Sequence, residues 1–327
     1  MTTSWPKSLD TIYGSAAGLC ERVSRLTEGR FQIQPFAAGE IVGGLQAFDA
    51  TASGAVECCH TYSPYYFGKD PAYGFDGGMP FGLNSRQQQS WMLYGDGLKL
   101  MRELFSKANL ISFPVGNVGV QMGGWFRKEI NNVDDLKGVK MRVGGMGGVF
   151  MSKLGVIPQQ LAAGDIYPAL ERGTIDAAEF IGPYDDEKLG FVKVAKYYYT
   201  PSWWEGSAQI TSFVNAAAWE RLPSTFKDAF EAAANEQTLS MMAKYDAVNP
   251  AALKRLVAVG AQLRVYPRPV LEACYQVTLD TFSEFSNKSA DFKRVYESWV
   301  KFRDELNQWF RVAEFQMDSF SLSKIHN

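Results

Sequence analysis

Apolar residues fall largely on one helical face between 11 and 27, at Ile12, Leu19, Val23 and Leu26. Glu28-Gly29 ends that helix, and 30–36 then alternates at period two, which predicts a strand. A loop at 37–44, a short helix at 45–53 and a strand at 55–60 follow. A strand trimmed to Trp5 could begin this β-α-β-α-β rhythm, which indicates an α/β domain with a mainly parallel sheet. Residues 86–105 predict one long helix, with Trp91, Leu98, Met101 and Phe105 partly along one face. Strands are expected at 110–115 and 118–126. A second β-α-β set runs over about 124–208. Beyond it come a strand at 209–215, helix at 216–245 interrupted near Leu222-Pro223, a further helix at 253–259, a strand at 262–266, and helices from 270 to the end.

Two stretches stand out against this pattern. In Thr61-Tyr-Ser-Pro-Tyr65-Tyr66 three tyrosines follow the end of a strand, where they could wall a pocket or simply pack the loop. In Val133-Asp-Asp-Leu-Lys-Gly-Val-Lys-Met-Arg142-Val-Gly-Gly-Met-Gly-Gly148 a turn leads into a short strand and then a glycine-rich loop. On that strand Arg142 faces away from Met141 and Val143. A guanidinium at a strand end can bind a carboxylate through two parallel hydrogen bonds, and glycines let backbone N–H groups approach an anion. A phosphate loop would need a Gly-Lys-Ser/Thr ending, which is missing.

Composition narrows the classes. The chain has 327 residues, 46% of them hydrophobic and 14% aromatic, ample core for two domains or one large one. A net charge of −2 supplies no basic face for nucleic acid. With only His60 and His326, a multi-histidine metal site is excluded. Cys20, Cys58, Cys59 and Cys274 lack metal-type spacing and are expected as buried thiols. No apolar run reaches the roughly 20 residues that span a membrane, and the N-terminus has no signal-peptide core. The aromatic C-terminal helices (Trp299, Phe302, Trp309, Phe310, Phe315, Phe320) are expected to pack within the chain or form a subunit interface.

The Arg142 stretch, with Ile166-Tyr-Pro-Ala-Leu-Glu-Arg-Gly-Thr-Ile-Asp176 at the right spacing, resembles the solute-binding proteins of TRAP (tripartite ATP-independent periplasmic) transporters, the DctP-like receptors. The likeness is closest to the branch that binds 2-oxo acids, through Glu57-Cys-Cys-His-Thr61, Gly119-Val-Gln-Met-Gly-Gly-Trp-Phe126, Gly182-Pro-Tyr-Asp-Asp-Glu187 and Trp203-Trp-Glu-Gly206. It implies an α/β, two-lobed periplasmic binding protein-like fold with a hinge and a long connecting helix. The expected lobes are 1–122 with 210–250 and 123–209 with 251–290. A C-terminal helical extension, 291–327, could serve as a dimer element. The hinge is expected near 119–124 and 209–215.

The resemblance also implies a site. Arg142 would clamp a ligand carboxylate. Gln121, Glu179, the carbonyl of Phe180 and Glu205 would surround a cation, with Tyr65, Tyr66, Phe180 and Trp204 around the ligand. Where this branch commonly carries Trp, the chain has Phe180, so the pocket loses an indole and its N–H. Charge favours the cation independently. Arg142 (+1), Glu179 and Glu205 (−1 each) and a monocarboxylate (−1) sum to −2, which is costly when half buried. About six oxygen donors suit Na⁺, or alternatively Ca²⁺. The expected ligand is a 2-oxo monocarboxylate such as pyruvate, then a 2-hydroxy acid such as lactate, then an aromatic acid. The expected partners are TRAP membrane subunits, with a homodimer through the C-terminal helices as a further expectation, in the periplasm after signal-peptide removal. A metal-dependent 2-oxo acid lyase is the competing class. It would need a general base or Schiff-base lysine, and the candidate segments offer only Lys140 nearby. A receptor that feeds a sensor kinase is the other alternative.

Overall fold

The computed structural model describes residues 1–325, so His326 and the last residue of the expected C-terminal extension lie outside the described residues. The strands in chain order are β1 (Thr2–Thr3), β2 (Cys58–Thr61), β3 (Leu110–Asn117), β4 (Gly124–Phe126), β5 (Lys140–Arg142), β6 (Ile157–Gln159), β7 (Ala177–Ala178), β8 (Tyr197–Thr200), β9 (Gln209–Asn215) and β10 (Gln262–Val265). They form two sheets, ordered β1-β2-β9-β3 and β10-β8-β4-β7-β5-β6. Both are mixed, and in each a single strand runs against the others, so the expected mainly parallel direction holds. β9 lies antiparallel between β2 and β3, and β4 antiparallel between β7 and β8. β9 is supplied by chain returning from the second sheet, a long-range pairing that local periodicity does not report.

The chain passes between the sheets over 118–123 and 201–208. The second crossing therefore lies upstream of the 209–215 stretch expected for it. That stretch is pinned on both edges by ladder hydrogen bonds and belongs to the first sheet. A third connection is the 35-residue helix Ser224–Ala258, which runs through Pro250. A helix ending at Tyr245 was the expectation there; proline removes one N–H from the helical ladder, yet Pro250 does not end this helix. Contacts on both sides of Pro250 hold the helix together. Before it, Phe230, Ala233 and Met241 are buried; after it, Ala252 and Leu256 are. Beside it, Asn249 Oδ1 accepts the Tyr184 N–H at 3.0 Å.

Two other elements differ from the periodicity. The 86–105 helix is two helices, Ser85–Tyr94 and Gly97–Ser106, broken at Gly95-Asp96. The alternating 30–36 segment makes only an isolated bridge between Phe36 and Thr2. The aromatic C-terminus divides in two. Helix Ala290–Val312 buries Phe292, Val295 and Trp299 against Phe75 and Phe282. Helix Glu314–Leu322 buries nothing and leaves Phe315 and Phe320 exposed.

Candidate functional site

Arg142 closes β5 with Met141 and Val143 in the hydrophobic core behind it, as alternation requires, and its own side chain is 1% exposed. It lines a small cavity of about 10 Å³ between the sheets, room for about one water. Its Nη1 donates to Glu179 Oε1 at 2.5 Å and to the Glu179 carbonyl at 2.6 Å. Its Nε donates to the Leu161 carbonyl at 3.2 Å and its Nη2 to the Tyr65 hydroxyl at 3.3 Å. The Phe180 ring stands 5.3 Å from the guanidinium carbon.

Two of the glycines matter here. Gly144 N–H donates to Glu179 Oε1, and a Cβ on Gly144 would sit 3.2 Å from that oxygen and 3.4 Å from Arg142 Nη1. Gly145 has φ +57°, and its Cβ would meet the Pro64 carbonyl oxygen at 3.0 Å. The loop brings the chain close to the ion pair and to Pro64.

Glu205 is 4% exposed and its Oε1 accepts the Tyr62 hydroxyl at 2.7 Å. Its other oxygen, Oε2, is buried with no partner among the described residues, and so is Gln121 Oε1. Gln121 and Glu205 are neighbours through a backbone bond, Gln121 N–H to the Glu205 carbonyl at 3.3 Å. Around Phe180 the flanking carbonyls are committed, that of Glu179 to Arg142 and that of Ile181 to Met122 N–H. Asp186, in the Gly182-Pro-Tyr-Asp-Asp stretch, supports this segment. Its carboxylate accepts the Ile181 N–H at 3.4 Å, the Trp125 indole N–H at 3.0 Å and the Tyr198 hydroxyl at 2.7 Å.

Burial pushes the Glu205 carboxyl well above the usual carboxylate range, and the Glu179 charge pushes it further. Burial also raises Glu179, opposed by Arg142 and by the Gly144 N–H. Burial works against the Arg142 charge too, yet Glu179, Tyr65 and Glu205 hold the guanidinium protonated above its ordinary value. The lining therefore carries +1 −2 = −1 with both carboxylates ionised. A further anion would leave −2, a cost that a hard cation removes. The buried oxygens without partners, Gln121 Oε1 and Glu205 Oε2, fit such a cation. Among the described residues no group of three His, Cys, Asp or Glu side chains could hold a metal. The donor set here has two carboxylates, with an amide oxygen and a carbonyl as the others.

Of the residues expected from sequence, Arg142, Gln121, Tyr65, Glu179, Phe180 and Glu205 all line the one cavity. Tyr66 and Trp204 do not. Tyr66 stacks on Phe48 at 4.6 Å, its hydroxyl bonded to Thr61 at 2.9 Å. Trp204 is buried in the hydrophobic core against Trp203 at 5.2 Å. Tyr62, one of the three tyrosines read as pocket wall or loop packing, lines the cavity, and so does Trp5, which the sequence reading did not assign to the site. Ser63–Tyr66 is a 3₁₀ turn, in which side chains three apart eclipse, so Tyr62 and Tyr65 share the inward side and Tyr66 leaves it. The Ser-Pro within Tyr62-Ser-Pro-Tyr65 was the available signal. Trp5 offered none, because its place depends on the pairing of β1 with β2.

The chain is similar to known proteins of one family. Residues 1–288 match the sequence model of DctP, described as bacterial extracellular solute-binding protein, family 7. The monocarboxylate 2-oxoacid-binding periplasmic protein of Nostoc is 50% identical over 323 residues, covering 99% of this chain and 88% of that protein. A TRAP transporter solute-binding protein from Bordetella bronchiseptica superposes with TM-score 0.98 at 56% identity, covering 99% of this chain and 96% of the other. Its crystal structure is a mixed-occupancy dimer with copurified calcium and picolinate in one site and the other apo. A TRAP periplasmic solute-binding protein from Pseudoalteromonas atlantica, with bound sodium and pyruvate, gives TM-score 0.93 at 33% identity over 99% and 98% of the two chains.

Proposed function

Since the chain belongs to family 7 of the bacterial extracellular solute-binding proteins and is a TRAP solute receptor, we propose that it captures a 2-oxo monocarboxylate between its lobes. In this reading Arg142 takes the carboxylate, and Gln121, Glu179, the Phe180 carbonyl and Glu205 hold Na⁺ or Ca²⁺. The carrying observation is the pair of buried oxygens without partners, Gln121 Oε1 and Glu205 Oε2, facing a cavity that already holds the arginine. A cation held by these residues would supply charge neutralisation and would favour a ligand with two adjacent oxygens. Such a chelate would separate 2-oxo and 2-hydroxy acids from plain carboxylates.

The lobe division 1–122 with 210–250 against 123–209 with 251–290 is part of this reading, supported by the sheet membership of the strands. The family is one of extracellular receptors, so the lyase alternative falls. Among the described residues no helix is long and apolar enough to cross a membrane. Delivery to TRAP membrane subunits from the periplasm completes the proposal.

A second ligand class is favoured by one observation. The Bordetella relative holds picolinate, an aromatic acid whose ring nitrogen and carboxylate chelate like a 2-oxo acid. Phe180 in place of the branch's Trp is compatible with a ring at this position. Thermal-shift titration in the presence of Na⁺ or Ca²⁺ separates the classes. Pyruvate or 2-oxobutyrate should stabilise most, lactate and picolinate less, and acetate and 2-oxoglutarate not at all. Equal stabilisation by acetate would sink the chelate. The homodimer is proposed through helix Glu314–Leu322, whose Phe315, Met317 and Phe320 are exposed. A monomer by light scattering at micromolar concentration would remove it.

A further inference from the structure

Of the aromatic hydrogen-bonding groups on the cavity wall, Tyr62 donates to Glu205 at 2.7 Å, whereas the Tyr65 hydroxyl accepts from Arg142 at 3.3 Å. The indole N–H of Trp5 donates at 2.9 Å to Nδ1 of His60, a residue of β2 that is fully buried and does not line the cavity. Because Nδ1 accepts, the ring proton is assigned to Nε2, which faces the Val115 carbonyl at 3.5 Å. Burial lowers His60 to about 4, so the imidazole stays neutral and keeps this acceptor at physiological pH. Trp5 is 2% exposed and its ring leans on Tyr65 at 6.1 Å. The rest of the apolar lining is Ile12, Val118, Phe180, Ile181, Ala208 and Ile210, none of which has a polar side-chain atom.

We propose that His60 is a positioning residue for ligand specificity: by taking the Trp5 N–H it turns an amphipathic indole into a purely apolar wall. Against this wall the site then favours a 2-oxo acid whose C3 substituent is apolar over one carrying a hydroxyl, because a hydroxyl packed on the indole would be desolvated with no partner from it. This rests on the 2-oxo acid reading of the site, and it adds which side chain of that class is accepted and by what device.

The test compares an isosteric pair, 2-oxobutyrate and 3-hydroxypyruvate, by titration calorimetry on the full chain with saturating Na⁺ or Ca²⁺. The wild-type protein should prefer 2-oxobutyrate. His60→Leu frees the indole N–H and should narrow the affinity ratio about fivefold, the worth of one net hydrogen bond of about 1 kcal/mol. His60→Gln, which can accept from Trp5, should restore the ratio. In a Trp5→Phe background, His60→Leu should leave the ratio unchanged, since no indole N–H remains. If His60→Leu weakens both ligands equally, His60 is only structural and the inference is overturned. Should that variant fail to fold, the Trp5 indole N–H resonance of the wild-type protein decides. It should move equally with both ligands, and a shift confined to 3-hydroxypyruvate would show the N–H contacting the ligand and overturn the idea. A wild-type protein that binds neither acid would sink the 2-oxo acid reading together with this one.

Discussion

Glu179 and Glu205 are the same residue type, both buried in one cavity, and their situations are opposite. Glu179 has a charged partner and a backbone donor, Arg142 at 2.5 Å and the Gly144 N–H, both on the same oxygen. Glu205 has one neutral donor, Tyr62, and one oxygen with none. The difference teaches where the site is finished by the chain and where it awaits something else. Arg142 and Glu179 form a preorganised pair that orients the guanidinium. Glu205 and Gln121 form an incomplete shell that a cation would complete.

The largest expected effect comes from breaking the finished half. Arg142→Ala leaves two buried carboxylates with no positive charge between them, a change that costs about 3–5 kcal/mol of stability. It should also reduce 2-oxo acid affinity by about 100-fold or more, the scale for truncating a buried charge partner. Arg142→Lys keeps the charge, loses the fork, and should fold while binding weakly. Wild-type affinity in Arg142→Lys, by calorimetry, would remove the two-bond clamp from the account.

Breaking the unfinished half should act with the opposite sign. Glu205→Gln brings the lining from −1 to 0, so the cation-free protein should melt higher than wild type at neutral pH. The same variant should weaken cation-dependent ligand binding by about tenfold to a hundredfold, the loss of one charge-assisted contact. A fall in melting temperature for cation-free Glu205→Gln would contradict the comparison.

The pH dependence sharpens it. The folded Glu205 carboxyl holds its proton more tightly than an unfolded glutamate, whose ordinary value is 4.5. Its share of stability is therefore complete below about pH 4.5 and is lost as pH rises through the raised value. Cation-free protein should become less stable over that rise, and added Na⁺ or Ca²⁺ should stabilise more as pH increases, because cation and proton compete for one carboxylate. Asp76 and Asp185, raised by burial to about 6, and Asp186, raised by burial to about 7, act in the same direction. Subtracting the Glu205→Gln melting curve isolates the Glu205 share. A difference curve flat in pH would refute it.

The smallest effect is at Tyr62. Tyr62→Phe removes the only donor to Glu205 and should lower ligand affinity about threefold to tenfold, one net hydrogen bond of about 1 kcal/mol. Tyr66→Phe should leave it unchanged, because that hydroxyl serves Thr61 in the lobe core.

Local chemistry was legible in the sequence, and long-range geometry was not. Arg142 could be placed because alternation along β5 forces it opposite Met141 and Val143. The two glutamates and Gln121 came with the family resemblance, and the cavity does gather them. Trp204 looked like a wall residue because it adjoins Glu205, yet adjacent residues in a turn point apart and its indole went to the core. Tyr66 failed for the same reason within a 3₁₀ turn. The antiparallel β9, the continuous helix through Pro250 and the place of Trp5 all depend on contacts between residues far apart in sequence, which no local period encodes. The aromatic C-terminus split because its first helix found the Phe75 and Phe282 surface while its last buries none of its own residues.

The central claim is that a cation completes Glu205 and Gln121 and, with Arg142, reads a 2-oxo acid. Calorimetric titration of chelator-treated protein with pyruvate, run with and without Na⁺ or Ca²⁺, tests it most directly. The account predicts tight binding with one of these cations and at least about tenfold weaker binding without either, the worth of about 1.4 kcal/mol. Equal pyruvate affinity in the presence and absence of both cations would contradict it.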